Sequence, residues 1–373
     1  MNRRLLRNFD TILVVAVLSL ELLSMVVITS ASRSAVPAGG DPFMFVKRQA
    51  AWAAMGVIVF LIVASTDYSD WARYSRIIYV VNIGLLGTVL VKGRAALGAQ
   101  RWLGPLQPSE IAKICIIITL TTFLVDREKP IRGLRDMIPA FIHVAIPMAL
   151  ILKQPDLGTS LVFIAITFGT LFMAGAPARW VAMLLFGGLG SAAGAIALHI
   201  TSGLPLPLKE YQIKRLIVFI NPKVDPLDSG YHVIQSKIAV GSGGLWGKGL
   251  FAGTQSRLNF LPEQHTDFIF SVIGEELGFV GCVAVLALYL IILWRGVTIM
   301  WHSRDHFGCV MAAGVVSMIA FHVLVNVGMT MGVMPVTGIP LPFVSYGGNS
   351  LLTNIVGIGL LESITMRRQK IMF

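Results

Sequence analysis

The chain has 373 residues, of which 55% are hydrophobic and only 13% are charged. An ordinary soluble domain has about 25% charged residues, so the composition excludes that class and predicts an integral membrane protein. The net charge of +11 is interpreted as cationic loops that face anionic lipid head groups, and the absence of a clustered basic arm argues against a nucleic-acid partner.

The first apolar run imitates a signal peptide, because Arg3, Arg4 and Arg7 precede it. It extends from Thr11 to Thr29, which is longer than a usual signal-peptide core, and many more spans follow. We therefore expect an uncleaved first helix.

Ten windows have about the length and apolarity that a membrane span requires. They lie near 11–31, 47–65, 76–92, 109–125, 137–152, 158–175, 179–201, 268–294, 308–331 and 347–366. The expected fold is a single all-α polytopic domain over 1–373, with about ten transmembrane helices. One large extracytoplasmic loop, about 201–267, separates the seventh helix from the eighth.

The basic residues of the tails and short loops set the orientation of such a protein. They cluster in the N-terminal tail, in the loop 126–136 and in the C-terminal tail, which ten spans place on one side. We expect that side to be cytoplasmic, with both termini there. Lys92, Arg94 and Arg101 fall on the opposite side, where cations near the membrane can hold an anionic group.

Two polar motifs lie at the outer ends of spans. In QPSEIAKI, Glu110 and Lys113 are three residues apart and share a helix face. They form either a structural ion pair or a cation oriented for a phosphate. In KQPDLGTS, Lys153 and Asp156 lie between the fifth and sixth spans, where Asp156 either caps a helix or faces a ligand.

The long outer loop contains amphipathic stretches that we expect on the membrane surface or over a cavity. Lys214 and Arg215 lie on one of them, YQIKRLIVFINP. Basic residues on such a helix usually extend toward lipid head groups. The alternative is a diphosphate ligand, since arginine offers two parallel hydrogen bonds to phosphate.

The stretch NFLPEQHTDFIFSVIGEELGF begins polar and runs into the eighth span. Thr266 is expected to be the N-cap of that helix and Asp267 an acid in its first turn. One interpretation is that Asp267 only complements the helix dipole. The other is that Glu263, His265 and Asp267 form a functional site beside the outer loop, with Asp267 kept ionised as a general base.

Two acids lie deeper in the same span. Glu275 and Glu276 are eight and nine residues beyond Asp267, or ~12–14 Å into the membrane. A buried acid there requires a partner, and we expect both to be structural anchors, with Lys113 as a candidate partner. Further along the chain, the prolines and glycines of GIPLPFVSYGGNS predict irregular backbone against a cavity, where Ser345 and Asn349 are candidate lining residues.

No metal-ligand spacing is found among the histidines or among Cys115, Cys282 and Cys309, which lie in apolar runs. No phosphate-binding glycine loop of the Walker type and no Ser–His–Asp pattern is present. ATP-driven transport by this chain is therefore not expected.

The motifs QPSEIAKI, KQPDLGTS, GTQSRLNFLPEQHTDFIFSVIGEELGFVG and PLPFVSYGGNS occur in this order along the chain. In these motifs the sequence resembles the SEDS family (shape, elongation, division and sporulation), and within it the RodA type. The resemblance covers essentially the whole chain. It implies a peptidoglycan glycosyltransferase that polymerises lipid II outside the cytoplasmic membrane during cell elongation.

The resemblance also implies a partner, a class B penicillin-binding protein that supplies the transpeptidase, within the elongation machinery. The essential acid of the family matches Asp267. Other polar positions of its cavity match Glu110, Lys113 and Asp156. The full set of expected substrate-binding residues is Glu110, Lys113, Lys153, Asp156, Arg215, His265, Thr266, Ser345 and Asn349.

The residues suit that chemistry. The donor sugar of lipid II is an α-linked diphosphate and the product is β-linked, so the displacement inverts. Such a reaction needs a base for the acceptor 4-hydroxyl, and Asp267 fits that role. A diphosphate leaves without protonation, so Lys113, Lys153 and Arg215, or a divalent cation such as Mg²⁺ or Mn²⁺, would stabilise the developing charge. No protein metal site is predicted.

Two alternatives remain open from the sequence. A lipid II flippase would use the same polar cavity to pass the head group across the membrane. It predicts polar clusters in the cytoplasmic half as well, whereas most of the clusters lie at outer ends. A scaffold for the penicillin-binding partner would leave those outer acids and cations unexplained.

Overall fold

The computed structural model describes residues 7–32, 41–96, 99–127, 129–203, 210–225, 229–258, 260 and 263–368. Most of these residues are helical. In chain order the elements are α1 (Thr11–Ser32), α2 (Met44–Ser65), α3 (Tyr68–Arg73), α4 (Ser75–Lys92), β1 (Arg94–Ala96), β2 (Ala99–Trp102), α5 (Pro108–Val125), α6 (Leu134–Lys153), α7 (Leu157–Met173), α8 (Ala178–Ser202), α9 (Glu210–Ile220), a 3₁₀ turn (Pro222–Val224), α10 (Ser229–Ser242), α11 (Thr254–Arg257), α12 (Ile269–Trp301), α13 (His306–Thr330) and α14 (Gly348–Met366).

A long helix occupies each of the ten predicted windows, which confirms the all-α membrane fold. Eight of these helices are long and apolar enough to cross a membrane. The other two are α7, which has only 17 residues, and α14, whose polar residues are almost all buried inside the bundle. The number of ten spans therefore stays a prediction.

The core of the bundle is formed by α5, α13 and α14, which bury most of their residues. Other helices surround α14, and polar side chains of α14 bond to them, as where Ser363 donates to the carbonyl of Thr66, at the end of α2, at 2.7 Å. In contrast, α8 lies at the periphery and buries none of its apolar window.

The two ends of the described chain meet at one end of the bundle. Asn8 donates to the carbonyl of Met366 at 3.4 Å, and the backbone N–H of Asp10 donates to Glu362 at 2.8 Å. Arg295, near the end of α12, forms an ion pair with Asp10 at 2.6 Å. Both ends of the described chain therefore lie on the same side, opposite to the long loop between α8 and α12.

A short antiparallel hairpin, β1 with β2, lies between α4 and α5 at the outer end. From the sequence no strand is assigned there. The hairpin positions Arg101, which lies in β2 and donates to the carbonyls of Gln154 and Pro155 at the end of α6.

Helix α12 is broken by Gly278, whose φ of 67° lies in the left-handed region. In an unbroken helix the N–H groups of Phe279 and Val280 would bond to the carbonyls of Glu275 and Glu276. The break leaves all four groups without helical partners, and buried backbone groups need partners. A glycine-rich segment of the outer loop, residues 243–253, supplies them. The four bonds are Lys248 N to Glu275 O at 3.0 Å, Gly249 N to Glu276 O at 3.0 Å, Phe279 N to Gly244 O at 2.9 Å and Val280 N to Leu245 O at 3.1 Å.

The same segment approaches α12 backbone to backbone. A β-carbon on Gly243 would lie 1.9 Å from the carbonyl oxygen of Gly274, and one on Gly247 would lie 2.1 Å from that of Glu276. These contacts leave no room for side chains, so glycine is required at both positions.

Candidate functional site

Asp267 lies in the turn 263–268 that leads into α12. Its backbone N–H donates to the carbonyl of Glu263 at 3.1 Å. Its own carbonyl accepts from Asn326 at 3.0 Å, and the same amide donates to Ile339 at 2.8 Å. Asn326, which is buried in α13, therefore fixes both the turn and the segment that passes beside it.

The expectation that Thr266 caps α12 and that Asp267 lies in its first turn is wrong. The helix begins at Ile269 after Phe268. The carbonyl of Glu263 accepts from the N–H groups of Thr266, Asp267 and Phe268. Because these residues form a closed turn, the helix begins only after them. The Thr266 hydroxyl donates to the Glu263 carboxylate at 3.1 Å instead of capping.

The Asp267 carboxylate is half-buried and faces Gly338, where a β-carbon would lie 3.2 Å from Oδ2. Burial, reinforced by the negative charge of Glu263, raises the pKa of Asp267 to about 6. Arg215 and Arg101 lie close enough to act in the opposite direction on that pKa. The site thus combines one carboxylate of raised pKa with two nearby guanidinium groups.

His265 lies two residues before Asp267 but contributes mainly packing. Its ring centroid is 4.9 Å from that of Phe45 and 5.6 Å from that of Tyr346. Burial lowers the pKa of His265 below its usual value. A neutral imidazole enclosed by aromatic rings therefore supports the turn.

The GIPLPFVSYGGNS segment is attached to the turn through Ser345. Its hydroxyl donates to the carbonyl of Thr266 at 2.6 Å and accepts from the N–H of Leu341 at 2.8 Å. Asn349 donates to the carbonyl of Pro105 at 2.8 Å, between β2 and α5. Both side chains make structural contacts at the outer end of the bundle.

Glu110 and Lys113 form a buried ion pair of 2.8 Å on α5, with side chains 6% and 1% exposed. The Lys113 ammonium also lies 3.1 Å from Nε2 of His322. Nδ1 of His322 lies 2.6 Å from the carbonyl of Met318, which assigns the proton to Nδ1 and makes Nε2 the acceptor. An ammonium has three donors, so Lys113 keeps one for a further acceptor.

Asp156 is the N-cap of α7, accepting from the N–H of Thr159 at 3.2 Å. The same carboxylate accepts from the Ser109 hydroxyl at 3.2 Å and so ties α7 to the start of α5. Two residues later, Gly158 lies against the carbonyl of Thr337 and the side chain of Ile339. Asp156 is thereby held beside the segment that faces Asp267.

Helix α13 connects these groups. His322 contacts Lys113, and Asn326 holds the Asp267 turn. Residues four apart lie on one face of a helix. The fold therefore brings Lys113 to the same face of α13 as Asp267, about one helical turn away.

Glu275 and Glu276 hold the outer loop onto α12. Glu275 forms an ion pair with Lys248 at 2.8 Å and accepts from the N–H groups of Thr254 and Gln255. Glu276 accepts from Phe251 and Gly253 of the loop backbone and, at 2.5 Å, from Ser30 of α1. The expected partner Lys113 is wrong, because it pairs with Glu110 and the Glu275 pair is made with Lys248.

The depth expected for these acids also changes. Residues 279–301 alone, beyond the break at Gly278, have about the 20 residues that a span needs. The part of α12 that contains Glu275 and Glu276 is covered by the loop segment 243–255 rather than by neighbouring spans alone.

Two of the expected substrate-binding residues, Lys153 and Arg215, differ in how they are placed relative to Asp267. Lys153 is exposed at the end of α6 and has no hydrogen bond or ion pair within the described part of the chain. Arg215 lies on α9, half-buried, and acts on Asp267 through its charge.

The list of candidates from the sequence omitted Arg101, Asn326 and Gly338. The sequence indicates Arg101 only as a cation on the outer side. A buried asparagine within an apolar span was a usable signal for Asn326. Gly338 had no local signal, because its role depends on the approach of Asp267. Among the described residues no three His, Cys, Asp or Glu side chains form a group that could hold a metal ion.

Comparison with known proteins shows that the chain matches one protein family over nearly its whole length. The FtsW, RodA and SpoVE family model, described as cell cycle protein, matches residues 10–370. The chain is 38% identical over 369 residues to the peptidoglycan glycosyltransferase MrdB of Escherichia coli K12, covering 97% of this chain and 95% of that protein. It is 39% identical over 390 residues to the peptidoglycan glycosyltransferase RodA of Treponema pallidum, covering 86% and 89%.

A solved structure from work on how a peptidoglycan synthase complex coordinates polymerization and crosslinking is also similar. The superposition has a TM-score of 0.79 with 31% identity and covers 96% of this chain and 98% of that chain.

Proposed function

The chain belongs to the FtsW, RodA and SpoVE family, and we propose that it is a peptidoglycan glycosyltransferase that polymerises lipid II into β-1,4-linked glycan strands during cell elongation. The observation that supports this best is the Asp267 carboxylate, with a pKa of about 6 and two arginines nearby. One base beside several cations suits an inverting displacement of a diphosphate.

Asp267 is the proposed general base. It takes the proton of the acceptor 4-hydroxyl as that oxygen forms a bond to C1 of the donor sugar. The bond from C1 to the diphosphate oxygen breaks, and its electron pair leaves with undecaprenyl diphosphate. A carboxylate with a pKa of about 6 is mainly ionised at neutral pH and is a stronger base than an ordinary aspartate, as general-base catalysis favours.

The leaving diphosphate is proposed to be stabilised by the surrounding cations. Arg101 is fixed by the carbonyls of Gln154 and Pro155 and keeps further N–H donors, since a guanidinium has five. Arg215 offers a second guanidinium, and Lys113 offers one remaining donor next to Glu110. Pre-oriented donors of this kind stabilise charge that develops in a transition state.

The site is proposed to face the extracytoplasmic side, with both termini in the cytoplasm. The basic residues of the tails and of the loop 126–136 support this orientation. The Asp267 turn, Arg101 and Asp156 all lie at the opposite end of the bundle.

The proposed partner is a class B penicillin-binding protein that crosslinks the strands. The similarity to a component of a peptidoglycan synthase complex supports an assembly of this kind.

The flippase alternative gains no support from the deeper acids. It required polar groups lower in the bundle that are available to a passing head group. Glu275 pairs with Lys248 of the outer loop, and Glu276 accepts from Ser30 of α1 and from backbone groups of Phe251 and Gly253.

Polymerisation of purified lipid II by the full chain, together with its transpeptidase partner, tests the proposal. Asp267→Asn should abolish chain growth, whereas Asp70→Asn, the same change at an exposed site in α3, should not. Circular dichroism and thermal unfolding of both variants exclude misfolding as the cause. Polymerisation by Asp267→Asn at the wild-type rate would overturn the assignment of the base.

A further inference from the structure

A cavity lies at the end of the bundle opposite to Asp267. It has a volume of about 810 Å³ and is lined by α3, α4, α5, α6 and the start of the loop after α5. Glu110 and Thr122 mark the two ends of α5, ~18 Å apart. The cavity is therefore a separate site from the one proposed for catalysis.

The inner wall of this cavity is closed by aromatic packing. The ring of His143 stacks on Tyr79 at 4.2 Å and on Phe123 at 5.2 Å. Nε2 of His143 lies 3.1 Å from the Thr119 hydroxyl, and the Tyr79 hydroxyl donates to the His143 carbonyl at 2.7 Å. The polar groups of this wall satisfy one another, so they do not select a ligand.

The mouth of the cavity, in contrast, has unused donors. Arg73, Arg76 and Arg127 line it, together with a single carboxylate, Asp126. Arg127 donates to the carbonyl of Asp136. Arg73 and Arg76 are exposed, and neither forms a hydrogen bond or an ion pair with any residue in the described part of the chain. The mouth thus has an excess of positive charge with free guanidinium groups.

Apolar side chains flank the same opening. On α4, Ile77 and Val80 are 62% and 68% exposed, and on α6, Ile142 is 57% exposed. In a membrane these surfaces face acyl chains. A ligand that fills the mouth would therefore contact guanidinium groups at one end and apolar helix faces at the other, which a soluble anion cannot do.

We propose that this cavity binds an anionic phospholipid of the cytoplasmic leaflet, with its phosphate between Arg73 and Arg76 and its acyl chains along α4 and α6. Guanidinium groups suit phosphate because their donors match its oxygens. Basic pockets between membrane helices on the cytoplasmic side recognise anionic head groups. The volume is within the usual range of ligand pockets, about 300–1,000 Å³.

Native mass spectrometry of the full chain in detergent, titrated with phosphatidylglycerol, tests this site. Phosphatidylcholine is the neutral-lipid comparison and glycerol phosphate is the soluble-anion comparison. The variant Arg73→Gln/Arg76→Gln removes both free guanidinium groups. The matched control Arg132→Gln/Arg135→Gln removes two exposed arginines from the same side of the bundle without touching the cavity lining.

The expected result is phosphatidylglycerol affinity about tenfold or more weaker in the cavity variant, and little changed in the control. Equal losses in both variants would mean a general effect of surface charge and would overturn the site. An unchanged affinity in the cavity variant would overturn it as well. Binding of glycerol phosphate as tight as that of the lipid would show a soluble-anion site instead of a lipid site.

A second variant separates shape from charge. Val80→Trp fills the mouth with a large side chain and keeps all three arginines. We expect it to weaken phosphatidylglycerol binding to a similar degree, with thermal unfolding unchanged because Val80 is exposed. Wild-type affinity in this folded variant would contradict binding within the cavity.

Discussion

The carboxylate of Asp267 lies where a side chain on residue 338 would begin: its Oδ2 is 3.2 Å from the position that a β-carbon on Gly338 would have. Gly338 also has a φ of 73°, a conformation that L-residues adopt at a cost of about 1–2 kcal/mol. Two separate reasons therefore require glycine beside the proposed base.

Gly338→Ala tests how sensitive the reaction is to the position of that carboxylate. The added methyl group should displace Oδ2 and reduce polymerisation at least about tenfold, since small misplacements of a catalytic group are costly. The control is Gly203→Ala, where φ is 67° and no atom lies within 4 Å of a new β-carbon. Both variants should lose some stability, measured by thermal unfolding, but only Gly338→Ala should lose activity. Equal activity in the two would show that the contact has no catalytic role.

The pH dependence of polymerisation should report the pKa of Asp267. Because the base must be ionised, activity is expected to rise with pH through about 6. Glu263→Gln removes a negative neighbour that raises the pKa, so the acidic limb should move to lower pH. Arg215→Gln removes a positive neighbour that lowers the pKa, so the limb should move to higher pH. Rate profiles normalised to their plateaus distinguish the two shifts, and shifts in the same direction would contradict this electrostatic account.

The stability of Asp267→Asn should also depend on pH. The folded-state pKa of about 6 is above the usual value of 3.8, so the folded state holds the proton more tightly than the unfolded state. The wild type therefore loses stability as the pH rises from about 4 to about 6, and the asparagine variant does not lose it. At pH 8 we expect the variant to be more stable by about 1–3 kcal/mol, since one pKa unit corresponds to about 1.4 kcal/mol.

Thermal unfolding of both proteins at pH 4 and pH 8 measures this effect. The difference in melting temperature between variant and wild type should be larger at pH 8. A difference that does not change with pH would mean that Asp267 has an ordinary pKa.

Breaking the buried ion pair of Glu110 and Lys113 should be strongly destabilising. Lys113→Met leaves the Glu110 carboxylate buried without its cation, at a cost of about 3–5 kcal/mol. Glu110→Gln/Lys113→Met removes both charges and should regain most of that stability. Thermal unfolding compares the two variants. Polymerisation by the double variant then shows whether Lys113 also acts on substrate. Recovered stability without recovered activity would support a contact of Lys113 with phosphate. Recovery of both stability and activity would contradict that contact.

Hydropathy alone predicted the positions of all ten long helices, because burial in lipid requires continuous apolar runs. The Asp267 region was also singled out as a candidate site from the sequence, since acids beside an apolar span are costly. The break at Gly278 was not predicted, because the groups that stabilise it come from a distant loop. The partner of Glu275 was wrong for the same reason: Lys248 is 27 residues away in the chain, and no local pattern connects them. The hairpin that positions Arg101 was likewise missed because its strands have only three and four residues.

The contact between the glycine-rich segment and α12 also fixes the register in which the two segments pack. Gly243 and Gly247 are four residues apart and both meet helix backbone. A slip of one residue toward the C-terminus would bring Lys248 into the place of Gly247, and a slip in the other direction would bring Trp246 there. Either side chain would collide with the carbonyl of Glu276. The two segments therefore fit together in a single register, and this register fixes the position of the outer loop along the helix axis.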